Sequence, residues 1–81
     1  MINMRRTSLA ELTTNEHAIL LSFANGRLET NRLVSLGFTP GAKVDMTQNY
    51  GHGPLIVTVR GTRVALGRVE AAKIFIKRDR E

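Results

Sequence analysis

The chain has no cysteine and no tryptophan, and only one tyrosine, three phenylalanines and two prolines among its 81 residues. Without cysteine there is no disulfide, no thiolate metal site and no cysteine nucleophile. The lack is compatible with a reducing compartment. So few aromatic side chains argue against a broad stacking platform for single-stranded nucleic acid. No apolar run exceeds a few residues, far short of the roughly 20 that a membrane-spanning helix requires. The opening Met1–Arg6 leads into no apolar stretch, so neither a secretory signal nor direct membrane insertion is expected. Internal repeats, low-complexity tracts and linkers are also missing.

Hydrophobic residues make up 42% of the chain, enough for a globular core. The length allows one domain. A domain this small buries only about 60–65% of the surface its unfolded chain exposes, so its core is thin. The net charge of +5 is uneven. Residues 1–45 carry five basic and four acidic side chains, and residues 46–81 carry seven and three. A basic C-terminal half suits an anionic partner: nucleic acid, an acidic protein surface or an anionic membrane face. It equally suits plain solubility.

Ser8-Leu9-Ala10-Glu11 has the capping-box spacing and predicts a short helical turn that brings Leu9 and Leu12 to the core. Thr13–Glu16 reads as a turn, with Asn15 as its left-handed residue. His17–Phe23 is a compact apolar run read as a strand, closed by the Asn25-Gly26 turn signal. Arg27–Leu36 is the one convincing helix, with Leu33 and Leu36 on one face and Glu29 in reach of Arg32. Gly37 is its expected left-handed C-terminal cap. Thr39-Pro40-Gly41-Ala42 fits a type II turn, with Pro40 and Gly41 at the central positions. Lys43–Gln48 alternates, with Val44 and Met46 inward, and residues 49–54 form a loop. Leu55–Arg60 and Arg63–Leu66 flank Gly61-Thr62, which predicts a type II′ hairpin with Arg60 opposite Arg63 and Val59 opposite Val64. This register places Leu55, Val57, Val59, Val64 and Leu66 on one face. A helical turn over residues 69–72 and a last strand Lys73–Lys77 follow. The expectation is an all-β-dominated domain: a small five-stranded barrel over residues 8–77, with one α-helix after the first strand and short helical turns. A flexible segment (residues 1–7) precedes it and a polar tail (residues 78–81) follows.

The stretch Arg32-Leu33-Val34-Ser35-Leu36-Gly37-Phe38-Thr39-Pro40-Gly41 resembles the "rLlsLGl-pG" signature of the FeoA family, the small ferrous iron transport protein A family. Gly53-Pro54-Leu55-x-Val57-x-Val59-x-Gly61 resembles the family's following strand. Glu70-Ala71-Ala72-Lys73-Ile74-x-Ile76 resembles its ending. The likeness runs over about residues 8–77. Asn15 stands where the family usually has Gly, Gly53 where an acidic residue is common, and Gly67 where a basic one is common. The resemblance implies an SH3-like barrel of cytoplasmic bacterial proteins. It also implies action beside FeoB, a membrane Fe(II) transporter with a cytosolic G-protein domain, which would recruit the chain to the inner face of the membrane. The same domain occurs at the C-terminus of metal-dependent DtxR-type repressors.

Catalysis calls for a nucleophile with a base, paired carboxylates or a metal with an open position. The seven acidic residues form no recognisable motif, and no enzyme is expected. His17 and His52 are the weak candidates for a metal, far apart in sequence and without ligand spacing. No cofactor is called for. Lys73-Phe75-Lys77 forms a basic–aromatic–basic row, which keeps nucleic acid as the alternative partner. Protein contact fits best. Leu33, Leu36, Phe38 and Pro40 would line a groove between helix and barrel, with Arg60 and Arg63 steering an acidic partner. Gly37, Pro40, Gly41 and Gly61 would be the structural turn residues. A homo-oligomer is also compatible with such a surface.

Overall fold

The computed structural model describes residues 6–79. Residues 1–5 of the expected flexible segment (1–7) and residues 80–81 of the expected tail (78–81) therefore lie outside the described residues. The chain runs β1 (Thr7–Ser8), a 3₁₀ turn (Leu9–Glu11), β2 (His17–Phe23), α1 (Arg27–Ser35), β3 (Lys43–Gln48), β4 (Leu55–Val59), β5 (Thr62–Leu66), α2 (Arg68–Ala71) and β6 (Ile74–Arg78). The strands form one sheet in the order β1-β6-β2-β3-β4-β5, antiparallel throughout.

Six strands replace the expected five. Thr7 and Ser8 pair with Ile76 and Phe75, and so short a strand carries no alternation for a sequence reading to find. Thr7 thus belongs to the sheet rather than to a leading segment, and Arg78 extends β6 rather than starting a tail. Each strand turns its alternate apolar residues inward. Ala18 and Leu20, Val44 and Met46, Leu55, Val57 and Val59, Val64 and Leu66, and Ile74 and Ile76 meet Leu9, Leu12, Leu33 and Phe38 in one core. Each large side chain buried there contributes about 1.5–3 kcal/mol relative to exposure.

The β4–β5 hairpin departs from expectation at its tip. Val59 pairs with Thr62, leaving Arg60 (φ 50°) and Gly61 (φ 79°) as the loop. Positive φ at both positions makes a type I′ turn, not the type II′ turn that Gly61-Thr62 suggested. Val57 then faces Val64, and Leu55 faces Leu66. Each cross-strand partner is displaced by two residues. Because side chains alternate with period two, the same residues still line the core. The displacement does remove the opposition of Arg60 and Arg63: Arg63 lies across from Thr58.

Residues skipped in the pairing at Leu21 of β2 and Thr47 of β3 make bulges, which bend the sheet around its core. The turn before β2 is held by Glu16. Its carboxylate accepts from the Thr13 N–H (2.7 Å), the Thr13 hydroxyl (2.8 Å) and Arg78 Nε (3.0 Å). These donors, the Thr13 backbone first, hold the Glu16 carboxyl below its ordinary pKa. Asn15 takes the expected left-handed conformation at φ 74°. Ser8 N–H donates to Glu11 Oε2 at 2.8 Å, as the capping spacing anticipates.

Asn49, in the loop after β3, ties distant segments together. Its Nδ2 donates to the carbonyls of Leu12 (2.7 Å) and Ala10 (3.3 Å). Its Oδ1 accepts from the Gly51 N–H (3.0 Å) and from Arg68 Nη2 of α2 (2.5 Å). One amide thus joins the N-terminal turn, the glycine loop and α2.

Three outcomes follow from these bonds. Asn49→Ala should lower the unfolding free energy by about 2–3 kcal/mol in urea titration, because it orphans several partners at once. Asn49→Asp should also destabilise, since it keeps the acceptor and loses both donors. The wild-type advantage over Glu16→Gln should be fully present above the ordinary carboxylate pKa of 4.5. It should fade as pH falls through the lower folded value, because protonation of Glu16 then favours the unfolded chain.

Candidate protein-contact surface

Helix α1 is mostly polar, and Leu33 is its only fully buried residue. Two of its charged side chains, Glu29 and Arg32, bond outside the helix. Glu29 accepts from Asn25 Nδ2, and Arg32 pairs with Glu70 of α2 rather than with Glu29. Asn25 Nδ2 also donates to the Glu70 carbonyl at 3.2 Å. The ion pair expected within the helix is therefore a link between the two helices.

The end of α1 is a Schellman motif. Gly37, at φ 106°, donates its N–H to the Val34 carbonyl at 3.0 Å, and Phe38 donates to the Leu33 carbonyl at 3.0 Å. Only a residue free to adopt positive φ closes this cap without strain. The geometry folds Phe38 back beside Leu33, and both are fully buried. The chain then enters the type II turn, with Ala42 N–H donating to the Thr39 carbonyl at 2.9 Å and Gly41 at φ 90°. Gly41 N–H donates to the Leu20 carbonyl (2.8 Å), and Leu20 N–H donates to the Ala42 carbonyl (2.9 Å). The turn is thereby locked onto β2.

Arg60 crosses from the hairpin tip to this corner. Its Nε donates to the Gly37 carbonyl (3.3 Å), and its Nη2 donates to Thr39 Oγ1 (2.9 Å). Its stem lies so close to Gly37 that a Cβ there would sit 3.1 Å from Arg60 Cδ. The cap, the turn and the hairpin tip form one rigid corner.

The corner corrects the sequence-derived site. Phe38 does not project; it is core, because the Schellman cap returns the residue after Gly37 to the helix. Leu33 is core as well, and Leu36 packs partly buried against it. Pro40 is exposed on the turn. Arg60 is exposed, but its guanidinium is engaged in fastening the corner. Arg63 is exposed on β5, with no ion-pair partner among the described residues. The structure adds Val34, a large apolar side chain left 42% exposed one turn before the cap. Its spacing from Leu33 could have marked it as lying off the buried face. Leu33 and Phe38, both fully buried, line no surface groove among the described residues; Val34 and Pro40 are exposed at the corner, and Arg63 lies just past the hairpin tip, across from Thr58.

The histidines do not come together. His17 Nδ1 lies 2.6 Å from Asp45 Oδ1 across β2 and β3, whereas His52 sits in the exposed glycine loop. No group of three or more His, Cys, Asp or Glu side chains that could hold a metal ion occurs among the described residues. No helix among them is long and apolar enough to cross a membrane.

Comparison with known proteins places the chain in context. The sequence profile of the FeoA domain matches residues 7–78. An Fe(2+) transport protein A of Methanocaldococcus jannaschii is 33% identical over 69 residues, covering 85% of this chain and 83% of that protein. The zinc-complexed FeoA of Stenotrophomonas maltophilia has an SH3 domain and is offered as a ferrous iron transport activating factor. It superposes with a TM-score of 0.80 at 30% identity, over 91% of this chain and 96% of that one. A crystal structure of an iron uptake regulatory protein (FeoA) superposes with a TM-score of 0.84 at 28% identity, over 93% of this chain and all of that one.

Substitutions should separate scaffold from surface. Phe38→Ala should cost about 3–5 kcal/mol in chemical denaturation. Arg60→Ala should cost about 1 kcal/mol through its lost bonds. Arg63→Ala should stay within about 0.5 kcal/mol of wild type. A silent Phe38→Ala would contradict the placement of that ring in the core.

Proposed function

The chain belongs to the FeoA family, and from that premise we propose that it is a cytoplasmic accessory of the membrane ferrous iron transporter FeoB, working by protein contact and not by catalysis. The observation that carries this reading is the family match across residues 7–78, supported by relatives named for Fe(2+) transport. On this reading iron is the transporter's cargo, and the chain needs no metal of its own.

The physical features agree with a contact role. The corner at residues 34–41 is held by backbone bonds and by Arg60, so docking there loses little conformational freedom. Val34 and Pro40 supply apolar contact. Arg63, exposed on β5 just past the hairpin tip and without an ion-pair partner among the described residues, is suited to steering an acidic partner. Arg60 contributes to docking by fixing the corner's shape.

Affinity capture from detergent-solubilised source membranes tests the reading. The tagged chain should retain FeoB after nuclease treatment and at moderate salt. Arg63→Glu should slow association by about tenfold while leaving the fold intact. Capture of nucleic acid alone, lost on nuclease treatment and falling steeply with salt, would move the function to the nucleic-acid alternative.

A further inference from the structure

A concavity lies away from the corner, on β6 and the bulged part of β2. It is a groove of about 510 Å³ lined by Arg6, Leu21, Ser22, Phe75, Lys77 and Arg78, among others. Its lining combines two features. The first is exposed apolar surface: Leu21 is 51% exposed, and Phe75 is only partly covered. The second is positive charge with no carboxylate in the lining.

The bulge creates the groove. The β2–β6 pairing runs Leu20 to Ile76 and then Ser22 to Phe75, which leaves Leu21 without a partner on β6. A skipped residue bends its strand and re-aims its side chain. The cations are not equally free. Arg78 already bonds Glu16 and the Glu11 carbonyl. The Arg6 guanidinium lies 5.0 Å from the centre of the Phe75 ring, a cation–π contact that leaves its charge unneutralised. Lys77 is exposed and has no carboxylate partner among the described residues.

We infer that this groove binds an acidic peptide segment carrying at least one large apolar side chain. The inference rests on the protein-contact reading above and gives it a second surface. The apolar side chain would cover Leu21 and the edge of Phe75, while flanking carboxylates would meet Lys77 and Arg6. A nucleic acid fits less well. Phe75 is the single aromatic ring in the lining, and Arg6 already occupies its face, so a base has no open platform. Charge alone does not explain the lining either, because a purely ionic site gains nothing from an exposed leucine.

The test uses the full chain, isotopically labelled, and a synthetic peptide alternating Glu and Leu, followed by amide shifts in two-dimensional NMR. The expected result is saturable binding that moves Leu21, Ser22, Phe75 and Lys77 and leaves Arg60–Thr62 unmoved. Leu21→Ser and Lys77→Glu should each weaken binding by about tenfold. Both positions are exposed, so spectra of the variants should keep their dispersion. An all-Glu peptide that binds equally well would overturn the inference, as would tighter binding of oligothymidylate or shifts confined to the hairpin. A variant lacking residues 1–4 that alone binds the peptide would make the chain's own leading segment the occupant, and would also overturn it. FeoB capture undiminished by Leu21→Ser and Lys77→Glu, together with no peptide binding, would sink the groove and leave the accessory function standing. Peptide binding without FeoB capture would do the reverse.

Discussion

The left-handed cap at Gly37 is the constraint on which the rest of the molecule depends. A helix as polar as α1 has little reason of its own to stay on a sheet. The cap changes that by returning Phe38 to the side of Leu33, so two large side chains enter the core from one end of the helix. The chain leaves the cap at the angle that the Pro40-Gly41 turn needs to bond the Leu20 carbonyl. From there β3 starts in register with β2. Arg60 then joins the hairpin tip to the same place. In a domain with so thin a core, loss of this corner would remove buried area and strand register together.

Much of this was legible beforehand. Gly37, Pro40 and Gly41 announce a cap and a turn through conformational preferences that few other residues share. The alternation in β3, β4 and β5 identifies the core face. What escaped is instructive. Phe38 looked like a projecting anchor because it follows the helix and precedes Pro40. Its burial follows from the second bond of the Schellman cap, a consequence of the same glycine. The hairpin tip was misplaced because Gly61 can open a type II′ turn or end a type I′ turn. Arg60 is a poor residue for positive φ, and its conformation coincides with tertiary bonds that no local pattern announces. Asn49 read as an ordinary loop residue, since the two carbonyls its side chain donates to lie more than thirty positions away in sequence.

The candidate surface changed more than the fold did. Sequence spacing groups residues by proximity along the chain, so it joined Leu33, Phe38, Pro40 and Arg60 into one docking site. Three dimensions divide them. Leu33 and Phe38 hold the corner from within, Arg60 fastens it from outside, and Pro40 remains at its surface, with Arg63 exposed on the neighbouring strand. The free cations are spread over two faces. Arg63 lies on β5 past the hairpin tip, whereas Arg6 and Lys77 line the groove by the bulge of β2. The basic C-terminal half is therefore not one patch, and a partner can engage either face without competing for the other.

Iron(II) uptake by proteoliposomes carrying purified FeoB tests the central claim most directly. The purified chain, titrated from outside onto vesicles whose FeoB cytosolic domains face outward, should change the uptake rate saturably. Arg63→Glu should raise the half-saturating concentration without altering the plateau. An uptake rate that stays the same at every concentration of well-folded chain, with no FeoB bound to it, would contradict the account.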